Sequence, residues 1–427
     1  MKKILVFLAA MFAIASAAAL PRVSHAEDKP VELTFWYSWT DKIQENNINL
    51  AKMFNETRGK ELNIHVTAEF QGTYDELHQK LQAAYVAGKT PSVSVMEIAS
   101  IKRFAESGVI LPLSPYIERD KIDMDDFYKG LLINCGVGGT WYGLPYLRST
   151  PILYMNTTLI GKAGLDPSGP KTWDELAEYC KVIKEKTGAY GLTLNSDIWI
   201  FEAFMFENGS STLTPDESAS NINSPESRTV FAFFKDLVDK GYAHCLAGTD
   251  YGKIFTDMMN QKTAMFFDST ADLTYNLELA GENGYEINTC FIPSKKTYGV
   301  PTGGCNLVMT SRQTDKEREA AWEFIKWMTE TEQAAYAHSY TGYLATRGSV
   351  VNTSGIQVLY KEKPQFKVAL DQLEGYGHGR PMNPGYTQVI VEWTSAMDAI
   401  WSNGADIDST LSAADAKIVG MNMLGAK

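Results

Sequence analysis

One arginine stands where folding alone gives it little to do. Arg380 lies in the stretch GYGHGRPMNPG (375–385), a loop by composition. A guanidinium set among glycines and prolines is a ready bidentate fork for a carboxylate or phosphate. Other polar groups interrupt apolar, strand-like runs. Ser149 does so in LPYLRSTPILYMN, and Ser269 in KTAMFFDST. Tyr74 and Glu97 fall at or just after the carboxyl ends of expected strands, and Trp36, Trp39, Trp199 and Tyr343 add rings at strand ends and in loops. Taken singly, each ring reads as core packing, each serine as surface, and Gly303-Gly304 as a simple turn. As a set, they read as the lining of a cleft for a small polar ligand.

The chemistry that would make the chain an enzyme finds less support. There is no G-x-S-x-G elbow, no H-E-x-x-H and no phosphate-binding loop, and the six histidines never cluster at metal-ligand spacing. No catalytic residue, metal or cofactor is expected. Glu97, Asp197 and Glu202 could meet in space as a carboxylate pair, which leaves an exported glycosidase as the last-ranked reading.

Composition narrows the partners. Lys2 and Lys3 precede an apolar run from Ile4 to Leu20, and Ser24-His25-Ala26 fits a small-x-small cleavage site, so residues 1–26 read as a signal peptide. No cysteine follows that run to carry a lipid, and no second stretch is apolar enough to span a bilayer. The expected product is a soluble periplasmic protein. The formal net charge of -12 becomes -15 once the segment's Lys2, Lys3 and Arg22 are removed. That excess of acid argues against nucleic acid or an anionic membrane as partner, but not against a small anion held by one or two buried arginines. Cys135, Cys180, Cys245, Cys290 and Cys305 are widely spaced, with no C-x-x-C, and read as small buried residues.

About 400 mature residues exceed one ordinary core, so two domains are expected. VELTFWYSW (31–39), 63–70 and SVSVMEI (92–98) read as strands separated by helices over about 41–57 and 73–86, the repeat of a parallel α/β sheet. Such sheets bind ligands at the carboxyl ends of their strands. Between Pro145 and Pro151, polar Arg148, Ser149 and Thr150 interrupt a strand, as an edge strand or as a passage between two lobes. The strand–helix pattern then restarts. Thr172-Trp173-Asp174-Glu175 forms a capping box, and Ser224-Pro225-Glu226 opens a second strong helix.

In order, the motifs FWYSW, GTYDELHQKL, VMEIAS, STPILYMN, GLDPSGPKTWDELAEYCKVI, KTAMFFDST, PTGGCNLVM, TGYLATR and GRPMNPGYTQVIVEW resemble the extracellular solute-binding proteins of ABC importers. The likeness runs over nearly the whole mature chain. Within that family the chain is most similar to the glycerol-3-phosphate-binding subgroup. The resemblance implies that Tyr74 and Glu97 hold glycerol hydroxyls and that Ser149, Ser269 and Tyr343 donate hydrogen bonds. It further implies that Gly304 offers a backbone N–H and Arg380 clamps a phosphate. Trp36 and Trp199, from the aromatic set at strand ends and loops, are further expected ligand contacts. Ser196 stands where the subgroup carries a tryptophan against the ligand, which implies a roomier pocket suited to a glycerophosphodiester or a small sugar.

The resulting expectation is an α/β protein of the type II periplasmic-binding-protein fold, each lobe a sheet flanked by helices. The chain would cross between lobes at about 144–150, 262–268 and 341–346. That assigns 27–145 plus 268–341 to the N-terminal lobe and 146–267 plus 342–427 to the C-terminal lobe. The resemblance implies a monomer that captures glycerol-3-phosphate or a glycerophosphodiester and delivers it to an ABC permease in the inner membrane. A sugar or oligosaccharide binder of the same fold is the alternative.

Overall fold

The structure is a computed structural model that describes residues 29–425; the expected signal peptide lies outside the described residues. Ten strands build two five-stranded sheets. β1 (Val31–Tyr37), β2 (Ile64–Phe70), β3 (Val93–Glu97) and β4 (Gly143–Ser149) belong to the first sheet. β5 (Pro151–Asn156), β6 (Tyr190–Asn195), β7 (Ala243–Leu246), β8 (Thr263–Ser269) and β9 (Ile287–Cys290) form the second. β10 (Gly303–Met309) returns to the first. The orders are β2-β1-β3-β10-β4 and β9-β5-β8-β6-β7. In each sheet a strand arriving from the other lobe runs against its neighbours. β10 is antiparallel to β3 and β4, and β5 is antiparallel to β8 and β9.

Two-residue periodicity decides which side chains each sheet buries. On β5 and β8, Leu153, Met155, Met265 and Phe267 enter one core, with Trp173, Phe204, Phe234 and Trp393. Ile152, Tyr154 and Phe266 point the other way, against the helices Ser354–Glu362 and Gln365–Tyr376. Both faces are covered, which is why β5 reads as a continuous apolar run rather than an alternating one. The first sheet buries Leu33, Phe35 and Val95 against Phe324 and Ile325 of the helix Asp315–Met328. That helix opens with a capping box between Thr314 and Glu317.

The first passage between lobes falls where the two prolines suggest, at Thr150 between β4 and β5. Arg148 pins it. Fully buried, its Nε donates to the Gly303 carbonyl at 2.9 Å, and Nη2 reaches Thr302 Oγ1 at 3.1 Å. Nη1 donates to Asn306 Oδ1 at 3.1 Å and to the Leu131 carbonyl. The last passage is held to the same point, since Leu344 N donates to the Arg148 carbonyl at 2.7 Å.

The middle passage needs correction. β8 lies wholly in the second sheet, and β9, within the stretch 268–341 assigned to the N-terminal lobe, pairs there with β5. The chain therefore rejoins the first sheet between Cys290 and Gly303, not at 262–268. The polar pause Asp268-Ser269-Thr270 marks the end of a strand at the cleft; it does not mark a change of lobe. The five cysteines are free thiols, four buried and Cys290 half-buried.

Candidate functional site

The strand ends of both sheets open on a cleft of about 510 Å³ between the lobes, within the size range of small-molecule sites. Sheet register sets much of its wall. Cys305 pairs with Glu97, Gly304 with Arg148, Gly303 with Ser149, and Ser269 with Pro151 across the second sheet. Two glycines are required at this junction. Gly304 has φ +82°, and a Cβ there would strike the Leu147 carbonyl. At Gly303 a Cβ would stand 2.5 Å from Trp199 Cζ2, so the indole can seat only on glycine.

Arg380 joins the lobes. Its Nε and Nη2 donate to the two oxygens of Glu202 at 3.0 and 3.1 Å, a fork-on-fork pair, and Nη1 donates to Glu97 Oε1 at 3.2 Å. The loop carrying it is fastened at the backbone. Arg380 N donates to Asn134 Oδ1 at 3.0 Å, and its carbonyl accepts from Asn134 Nδ2 at 2.9 Å. Burial disfavours the guanidinium charge, but Glu202 and Glu97 outweigh it and hold Arg380 above its ordinary value. Burial pushes the Glu202 carboxyl up even with Arg380 and Tyr386 bonded to it. Glu97 is engaged on both oxygens, accepting Ala99 N at 3.0 Å and Ser100 Oγ at 3.2 Å as cap of a short 3-10 turn.

Tyr74 leads the helix Tyr74–Val86, started by a Thr73/Glu76 capping box, and meets the Trp39 ring edge-on at 5.3 Å. Burial raises the Tyr74 and Tyr343 phenols, so both remain hydrogen-bond donors at neutral pH. Trp199 follows the N-cap Asp197, and its indole donates to the Thr302 carbonyl at 3.2 Å.

Of the nine expected site residues, Tyr74, Glu97, Ser149, Trp199, Ser269, Gly304, Tyr343 and Arg380 all line this one cleft. Trp36 does not. It is half-buried on β1, packed against the core of the first sheet, and its indole donates to Glu69 Oε2 on β2 at 2.9 Å. Trp39 takes the place at the cleft, held at φ 71° just beyond the strand. Ser196 also departs from expectation. It is fully buried, its Oγ donates to Asp398 Oδ1 at 2.5 Å, and it is not among the residues that line the cleft.

Sequence reasoning missed a second group on the same cleft. Asp268 and Asp272 stand beside Phe255 and Tyr275, whose rings lie 5.4 Å apart. Glu202 was visible only as a member of a possible carboxylate pair; it is one of two buried acids, with Glu207, in the apolar helix IWIFEAFMFE, and a buried acid needs a polar partner.

Two lobes around a cleft lined from both sheets define a binding protein for a small solute. The chain belongs to the family of bacterial extracellular solute-binding proteins, whose model matches residues 49–368. It is 27% identical over 365 residues to the sn-glycerol-3-phosphate-binding periplasmic protein UgpB of Rhizobium meliloti, covering 81% of this chain and 82% of the relative. Among solved structures, UgpB from Mycobacterium tuberculosis in complex with glycerophosphocholine superposes with TM-score 0.80 at 24% identity, covering 92% of this chain and 98% of that one. A cyclic alpha-maltosyl-1,6-maltose binding protein from Arthrobacter globiformis does so with TM-score 0.78 at 22% identity, covering 93% and 100%. These likenesses establish the two-lobe periplasmic-binding-protein fold.

Proposed function

We propose that this protein is the solute-binding component of an ABC importer and captures a glycerol phosphate ester between its lobes in the periplasm, as a monomer, for delivery to a membrane permease. The observation that carries this reading is the convergence of Tyr74, Glu97, Ser149, Ser269, Gly304, Tyr343 and Arg380 on one cleft. Neutral donors and carboxylate acceptors suit glycerol hydroxyls. Arg380 uses three of its five N–H groups on Glu202 and Glu97, which leaves two for a phosphate. The relatives named for glycerol-3-phosphate and glycerophosphocholine support the same solute class.

Charge favours a diester over the monoester. The cleft wall carries five carboxylates, Asp41, Glu97, Asp197, Asp268 and Asp272, against Lys42 and Arg380. A monoester brings about -1.5 to -2 near neutral pH, whereas a diester brings one charge. Acids and rings together are also what a neutral sugar would use, so a sugar or oligosaccharide solute is the second reading. Neither reading involves bond cleavage.

Calorimetric titration of ligand-free protein with glycerophosphocholine, glycerol-3-phosphate and maltose tests the proposal. The expected order is diester, then monoester, with maltose undetected. Saturable maltose binding without either ester would overturn it.

A further inference from the structure

Behind the cleft wall a line of buried polar side chains runs from the lobe passages to Arg380. Arg148, Asn306 and Asn134 are each fully buried, and none of them lines the cleft. Arg148 Nη1 donates to Asn306 Oδ1 at 3.1 Å, and Asn306 Nδ2 donates to the Asn134 carbonyl at 2.9 Å. The Asn134 side chain then directs both its groups at one residue. Its Oδ1 accepts the Arg380 N–H at 3.0 Å, and its Nδ2 donates to the Arg380 carbonyl at 2.9 Å. An amide paired with both main-chain groups of one residue does what an antiparallel neighbour would do in a sheet.

Arg148 also reaches the loop by a second route. Its Nη2 bonds Thr302 Oγ1, and Thr302 N donates at 2.7 Å to the carbonyl of His378, just ahead of Arg380. Between these fastenings lies Gly379, where a Cβ would strike Ile133 Cγ2 and stand 2.9 Å from Asn134 Oδ1. The loop can lie against Asn134 only because this residue is glycine. Burial makes the links obligatory, since a buried amide left without a partner costs more than its bond contributes. What they fix is direction. Arg380 must present Nε and Nη2 to Glu202 and Nη1 to Glu97 at once, from a loop that Gly377 and Gly379 leave with little stiffness of its own.

We infer that Asn134 is a positioning residue for Arg380, held in turn by Asn306 and Arg148, so that this arginine is aimed from the lobe passages and not from the cleft. The inference rests on the solute reading above only in taking Arg380 as a residue that meets the solute.

The first test needs no solute. The Arg380 Nε–H, bonded to Glu202, gives a signal in a proton–nitrogen correlation spectrum, assigned by its absence in Arg380→Lys. In Asn134→Ala that proton should exchange with water about tenfold faster, the factor that losing two neutral hydrogen bonds carries. Asn306→Asp keeps an acceptor for Arg148 but removes the donor to Asn134. It should shift the same signal, although Asn306 bonds neither Arg380 nor Glu202. Gly379→Ala, which crowds the loop off Asn134, serves if either variant does not fold. A signal unmoved in the folded variants would overturn the inference. A thermal cycle excludes a merely structural role. Asn134 bonds only the backbone of Arg380, so without positioning Asn134→Ala would lower Tm equally with Arg or Lys at 380. Positioning requires a smaller loss with Lys, and equal losses would overturn it. Glycerophosphocholine affinity should fall about tenfold in Asn134→Ala; an unchanged affinity would also overturn it. A wild type that binds no diester would overturn the solute reading and leave the Nε–H test of Asn134 intact.

Discussion

On one side of the cleft Arg380 is forked onto Glu202 and tied to Glu97, and Glu97 accepts two further hydrogen bonds from its own turn. On the other side Asp268 keeps an oxygen without a partner, and Asp272 faces the cleft beside Phe255 and Tyr275. Both halves are buried acid, yet the first has its cation built into the fold and the second lacks one. The first half therefore contributes to holding the lobes in register, while the second carries a standing cost. The difference shows how a strongly acidic cleft can still keep one arginine at its wall: that arginine is prepaired with two acids, and the remaining negative charge sits apart from it.

The largest effect should come from breaking the paired half. Arg380→Ala strands Glu202, 1% exposed, and leaves Glu97 without its bridge. Removing one member of a buried pair costs about 3–5 kcal/mol, much of it the price of the abandoned charge. Urea denaturation should show that loss, and adding Glu202→Gln should recover part of it. No recovery in the double variant would mean that the loss comes from the broken contact to Glu97 and not from the abandoned Glu202 carboxylate, since the backbone bonds to Asn134 survive the substitution. The same stranding complicates any reading of Arg380→Ala affinity as phosphate binding alone, so Arg380→Lys, which keeps the charge but not the fork, is the better probe of the ligand.

Next in size is the backbone at the strand junction. Gly304→Ala places a side chain at φ +82° against the Leu147 carbonyl, which costs about 1–3 kcal/mol for the dihedral alone. It should also weaken solute binding, because the strand must shift to accommodate the methyl group. Gly303→Ala should instead act through Trp199, displacing the indole with a smaller loss of stability. Trp199 fluorescence, compared between the two variants, checks this; an unshifted indole in Gly303→Ala would refute the contact.

Much of this was legible in the sequence because it depends on period and punctuation. The prolines at 145 and 151 located the first passage, and Thr172 marked where a helix begins, accepting from Glu175 N, although the Glu175 carboxylate turns to Lys171 N and leaves the expected capping box half closed. Eight of the nine expected site residues share one cleft. What escaped depends on contacts distant in the chain. Trp36 and Trp39 cannot be told apart until β1 is known to end at Tyr37 and its alternation is set. The middle passage was misplaced because Asp268-Ser269-Thr270 resembles the polar pause at Ser149, although only the pairing of β9 with β5 decides the lobe. Glu202 finds its cation 178 residues later, a distance no local pattern spans.

The smallest effect should have the opposite sign, and it tests the comparison most directly. Burial and Asp41 raise the Asp272 carboxyl from its ordinary value to about 6. The native protein therefore binds a proton at this site more readily than the unfolded chain between about pH 4 and 6. Stability contributed by Asp272 must then fall as pH rises through that window and be lowest above it, where the carboxylate is charged and unpaired. Asp268, which feels Asp272 directly and is itself pushed up by burial, acts in the same direction. His78 and His338 oppose it. Burial lowers them to about 3 and about 4, so they stay neutral in the native state and cost stability as pH falls below their unfolded value. For that reason the wild-type pH profile alone is uninformative, and the variant must be read against it. Asp272→Asn should raise Tm relative to wild type at pH 7.5, and the gain should shrink by pH 5, with both histidines common to the two proteins. This is the behaviour of an unpaired, partly buried acid whose charged form costs folding stability. A Tm that drops on Asp272→Asn at pH 7.5 would mean that the carboxylate already has a partner in the folded protein. The two halves of the cleft would then no longer differ in this way.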